Sequence, residues 1–76
     1  MELNEFVSKF AELFYDTDIS EFSGETEYKN LDEWGSLSAI SVIAMVDRDY
    51  GVTLKGSDIV NCETIKDLFN KIKDLK

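Results

Sequence analysis

Residues 31–51 of this 76-residue chain read LDEWGSLSAISVIAMVDRDYG. From Leu37 to Tyr50, apolar residues cover most of the circumference that a 3.6-residue period generates. This predicts the central helix of a bundle, with a narrow exposed strip at Ser38, Ser41, Met45, Arg48 and Asp49. Gly51 is its natural stop, because glycine takes the left-handed turn that ends helices at little steric cost.

Toward the N-terminus, Leu3, Phe6, Val7, Phe10, Leu13 and Phe14 recur at three- and four-residue spacing, which predicts a helix from Leu3 to Tyr15. Phe6, Phe10 and Phe14, with Phe69 from the far end of the chain, are read as core and not as a ligand cage, since a small bundle needs large apolar residues at that spacing. Asp16 to Gly35 is polar and acidic, with scattered anchors at Ile19, Phe22, Tyr28, Leu31 and Trp34. It reads as a connecting loop, and a loop of that length in a small domain calls for a functional reason.

Toward the C-terminus, Lys55 to Val60 has room for only a short helical turn, opened by Ser57 and broken by Asn61 and Cys62. Thr64 followed by Asp67 resembles a capping box, and Ile65, Leu68, Phe69, Ile72 and Leu75 form the stripe of a last helix running to the end. The expected fold is all-α. It is an irregular antiparallel four-helix bundle, three main helices and one short one, with a long loop between the first and second and residues 1–76 forming a single domain.

The formal net charge is -8, and it is unevenly placed. Residues 1–35 hold ten acidic and two basic side chains, whereas residues 36–76 hold six of each. Such a surface repels phosphate backbones and anionic headgroups, so nucleic acid is not an expected partner and basic protein surfaces are. With no histidine, the usual general base is missing, and an ordinary zinc site lacks ligands. The chain is therefore not expected to be an enzyme or to hold a metal. Cys62, the single cysteine, has no partner for a disulfide, which suits a reducing, cytoplasmic setting. The first ten residues alternate charged and apolar side chains, so neither a signal peptide nor a membrane span is expected.

Asp16, Asp18, Ser20, Phe22, Gly24 and Glu27 fall at the ligand offsets of a calcium-binding EF-hand loop. The sixth position, where glycine makes the sharp turn, is Glu21, and no clear helix follows Glu27, so the geometry is not provided for.

The segment Leu31 to Ile72 resembles the acyl carrier protein family. That family has Asp-Ser-Leu at the start of its second helix and a glycine ending that helix fifteen residues after the serine. Ser36, Leu37 and Gly51 match this spacing, and Val52, Leu54, Ile59, Thr64 and Ile65 fall where the family has its loop, short third helix and the opening of the fourth. Gly35 stands where the family has aspartate.

The resemblance implies that Ser36 receives 4'-phosphopantetheine from coenzyme A, through a holo-acyl-carrier-protein synthase or another phosphopantetheinyl transferase using magnesium. The arm's thiol then holds acyl groups as thioesters for acyl-loading and acyl-transferring enzymes, in lipid, polyketide or similar biosynthesis. In the family, acyl chains can also retreat between the helices. The resemblance further implies a partner-docking face, which the expected helix pattern would build from Leu37, Ser41, Met45 and Arg48, and a monomer. The other reading open at this point is an unmodified helical interaction domain that has lost the carrier role, with Ser36 as a plain helix cap.

Overall fold

In the computed structural model, which describes residues 2–76, the chain folds into four α-helices: α1 (Leu3–Ala11), α2 (Ser36–Tyr50), α3 (Gly56–Asn61) and α4 (Ile65–Leu75). No strand is present among the described residues. The all-helical bundle expected from periodicity is the one observed, three longer helices and one short.

The core is the apolar stripes brought together. Phe6 and Phe10 of α1, Val42, Met45 and Val46 of α2, Ile59 of α3, and Ile65, Leu68, Phe69 and Ile72 of α4 are all buried, and among the described residues no polar or charged residue is buried with them. Phe6 lies edge-on to Phe10 at 6.2 Å and tilted against Phe69 at 5.9 Å. The phenylalanine stripe is thus core, as its spacing indicated. Each such ring stabilises the fold by on the order of 1.5–3 kcal/mol through burial.

Helix boundaries follow local hydrogen bonding. α1 ends at Ala11, four residues before the expected Tyr15, because the N–H groups of Leu13 and Phe14 turn to the carbonyls of Phe10 and Ala11 at 3.1 and 3.0 Å, a tighter i to i+3 winding. Phe14 is still carried into the core by that turn. α2 ends as expected: Gly51 has φ 66° and returns its N–H to the carbonyl of Asp47. α3 begins at Gly56 instead of Ser57, and the Asp58 carboxylate accepts from the Lys55 N–H at 2.9 Å.

The segment between α1 and α2 is irregular but not structureless. It contains 3₁₀ turns at Ile19–Glu21 and Tyr28–Asn30 and is fastened at several points. Phe22 and Tyr28 are buried and Leu31 and Trp34 half-buried, as anchors should be. Ile19, also expected as an anchor, is 69% exposed, because it opens the first 3₁₀ turn on the outer side of the segment. The carbonyls of Gly24 and Thr26 accept from the first amides of α4, Lys66 at 2.8 Å and Ile65 at 3.1 Å. A Cβ on Gly24 would come within 3.0 Å of Leu3 Cδ2, so this close approach is one that glycine permits.

Candidate functional site

Ser36 is the first residue of α2, and its side chain is exposed. The preceding residue, Gly35, occupies the N-cap position with an extended backbone and has no side chain to cap the helix. The first amide of α2 to find an acceptor is that of Ala39, on the carbonyl of Gly35 at 3.1 Å. Among the described residues, nothing accepts from the N–H groups of Ser36, Leu37 or Ser38.

α4 is the opposite case. Its amides go to Thr26 (from Ile65), Gly24 (from Lys66), the Thr64 hydroxyl (from Asp67) and the Thr64 carbonyl (from Leu68). The open amides of α2 carry the positive end of the helix dipole and suit an anion placed on or beside Ser36. A phosphodiester on the Ser36 oxygen fits this setting: the oxygen is reachable, and the Leu37 and Ser38 amides are free to meet negative charge.

The approach to α2 is held from both ends of the long segment. The Glu33 carboxylate accepts from the Asp16 N–H at 3.0 Å and the Thr17 hydroxyl at 2.6 Å. One turn into the helix, the Ser38 hydroxyl donates to the Glu33 carbonyl at 3.0 Å. Asp16, Thr17, Glu21, Asn30, Leu31, Asp32 and Glu33 line a cleft of about 320 Å³ there. Its carboxylates make it a poor seat for phosphate.

The residues proposed from sequence for partner docking divide. Leu37 is 80% exposed, and Ser41 and Arg48 are exposed as well. Met45 is 2% exposed and belongs to the core, correcting its place on the exposed strip. The reason is helical phase: Val42, Met45 and Val46 are related by three and four residues and turn inward together. Ser38 is likewise half-buried.

The outward face instead carries Leu37, Ile40, Ser41, Ala44 and Arg48, with Ile40 61% exposed. Ile40 and Ala44 were missed because both apolar arcs of the helix look alike in sequence. Their spacing from Leu37, Ser41 and Arg48 was the available signal. Arg48 chelates its neighbour Asp49 through Nε at 3.0 Å and a terminal nitrogen at 3.2 Å. The hydrogen bonds from Arg48 hold the Asp49 carboxyl below the usual carboxylate range, so little unpaired positive charge remains on this face.

The other candidates have structural duties. Asp18 caps the first 3₁₀ turn by accepting from the Ser20 N–H at 2.9 Å, and that bond lowers its pKa. Phe22, another of the calcium-loop offsets, is buried. Among the described residues no group of three carboxylates, cysteines or histidines converges to hold a metal ion. Burial pushes the Cys62 thiol upward, with Asp67 and Asp58 adding to the effect, so it is not an activated nucleophile.

The family model described as the phosphopantetheine attachment site matches residues 7–72, nearly the whole folded chain. The chain belongs to this family. It is a phosphopantetheine carrier domain, non-catalytic in itself, of a family that bears a covalently attached 4'-phosphopantetheine group and works with a phosphopantetheinyl transferase and acyl-handling enzymes. No curated protein and no solved structure matches this carrier domain. Among the described residues, no helix is long and apolar enough to cross a membrane.

Proposed function

We propose that Ser36 is the attachment residue and that residues 1–76 act as one cytoplasmic, monomeric carrier domain for acyl or related intermediates in lipid, polyketide or similar biosynthesis. When bound, the group supplies a thiol at the end of a long arm, on which cargo is held as a thioester. The chain's own residues do the rest. Ser36 offers its hydroxyl to the transferase, and the Leu37 and Ser38 amides stabilise the phosphodiester charge. Leu37, Ile40, Ser41, Ala44 and Arg48 form the face that partner enzymes read.

The observation that carries this reading is the contrast between two helix starts. α4 has acceptors for all four of its first amides, whereas α2 leaves three open beside an exposed serine. The match to the phosphopantetheine attachment-site family over residues 7–72, a span that includes Ser36, supports it.

Intact-protein mass after incubation with coenzyme A, magnesium and a broad-specificity phosphopantetheinyl transferase tests it. The native chain is expected to gain one phosphopantetheine increment and Ser36→Ala none. An increment that survives in Ser36→Ala places the attachment elsewhere. No increment on the native chain leaves the α2 face as an interaction surface alone.

A further inference from the structure

Gly35, immediately before Ser36, has little of its own to hold it. Its backbone is extended, it carries no side chain to cap α2, and a Cβ there would meet nothing within 4 Å. Glycine is also the residue with the most backbone freedom to lose. The serine that follows it nevertheless has to present its hydroxyl to an incoming phosphorus in one direction.

The chain on either side of this glycine is tied down. Upstream, the Trp34 indole meets Tyr28 edge-on at 4.9 Å, and the Trp34 N–H donates to the Leu31 carbonyl at 3.0 Å. Glu33 makes two further connections. Through Oε1 its carboxylate accepts from the Asp16 N–H at 3.0 Å and the Thr17 hydroxyl at 2.6 Å, both in the chain that leaves α1. Its carbonyl accepts from the Ser38 hydroxyl at 3.0 Å, which closes a ring over residues 33–38 with Gly35 and Ser36 inside it. Glu33 and Ser38 are both half-buried, so the bonds to Thr17 and between Ser38 and Glu33 are partly shielded from competing water.

In the transfer, the Ser36 Oγ bonds to the pantetheine-bearing phosphorus of coenzyme A. The pyrophosphate linkage breaks, the adenosine bisphosphate leaves, and the hydroxyl proton passes to a base of the transferase. Such an attack depends on the direction of the oxygen, and misplacement by about an ångström can cost roughly a hundredfold in rate. We infer that Glu33 and Ser38 are positioning residues for this step. Ser38 clamps the first turn of α2 to Glu33, and Glu33 anchors that clamp to the chain leaving α1, so that Ser36 is presented in one orientation despite Gly35. This rests on Ser36 being the attachment residue.

Initial rates of phosphopantetheine transfer test it on the full chain, followed by intact mass at varied concentrations of the carrier with coenzyme A, magnesium and a broad-specificity transferase. Ser38→Ala and Glu33→Ala are expected to lower kcat by about tenfold or more. KM for the carrier is expected to hold, because Leu37, Ile40 and Arg48 stay on the face that partners read. Ser38→Thr keeps the hydroxyl and Glu33→Gln keeps an oxygen for both donors, and each is expected to restore most of the lost kcat. Equal losses in Glu33→Gln and Glu33→Ala, or a change confined to KM, assign the effect of Glu33 to its charge and overturn the positioning role.

Thermal melting establishes that each variant is folded at the assay temperature, and where one alanine variant is not, the other carries the comparison. No transfer to the native chain, or transfer that survives in Ser36→Ala, overturns the attachment reading. Transfer to the native chain with kcat alike in every Glu33 and Ser38 variant overturns this inference alone.

Discussion

At Gly35 the backbone is extended, and a Cβ would meet nothing within 4 Å. Glycine is therefore not demanded by conformation or by space, and aspartate can enter without strain. Placed at the N-cap of α2, its carboxylate would accept from one of the amides that are open now. Gly35→Asp is expected to raise stability by a few tenths of a kcal/mol, since aspartate exceeds glycine at this position by about that much. Urea denaturation checks it, and a loss of stability would show that the start of α2 is strained in a way its φ and ψ do not reveal. The place of Ser36 at the start of α2 was legible from its spacing to Leu37 and Gly51. The openness of its neighbouring amides was not, because it depends on what other parts of the fold offer as acceptors.

α2 and α4 show how differently two helices disclose themselves in sequence. α4 has one apolar stripe, and its start was written in Thr64 and Asp67, whose reciprocal bonds are present: Asp67 N–H to Thr64 Oγ1 at 3.1 Å and Thr64 N–H to the Asp67 carboxylate at 3.2 Å. The Thr64 and Glu63 amides hold the Asp67 carboxyl below its ordinary value of 3.8. A carboxyl lowered in the folded state contributes stability that is present above that ordinary value and is lost as pH falls through the folded one. Asp67→Asn is expected to melt below the native protein at neutral pH, with the gap closing as pH drops beneath 3.8. Melting temperatures across that range measure it, and a gap independent of pH would assign the effect to something other than the carboxylate charge. α2, by contrast, is apolar on both arcs, so periodicity located the helix but not its phase. Met45 was assigned outward, and only the fixed positions of Val42 and Val46 against the other helices reversed it.

Across the whole molecule, the segment between α1 and α2 is the part whose placement mattered most and was least legible. Tyr28 fastens it to α3, Lys29 Nζ donates to the Val60 carbonyl at 2.6 Å, and the Gly24 and Thr26 carbonyls cap α4. Tyr28→Phe keeps the ring and removes the hydroxyl, leaving the Ile59 carbonyl without its donor, and is expected to cost about 1–3 kcal/mol. Burial, reinforced by the charges of Cys62, Asp67 and Glu63, raises the Tyr28 pKa well above 10.0. The stability linked to it is therefore present below 10.0 and lost as pH rises toward the folded value. Denaturant midpoints for the native chain and Tyr28→Phe should converge in that alkaline range, and a constant difference would mean that Tyr28 does not ionise on unfolding.

By itself the sequence determined the helices, the phenylalanine core, the serine at a helix start and the glycine that ends that helix, because periodicity, capping chemistry and backbone freedom are local properties. Only the tertiary structure decided which arc of α2 faces water, how the long segment closes over the core through Trp34 and Tyr28, and that the first amides of α4 find acceptors in that segment. Those outcomes depend on groups far apart in the chain competing for the same space and the same hydrogen bonds.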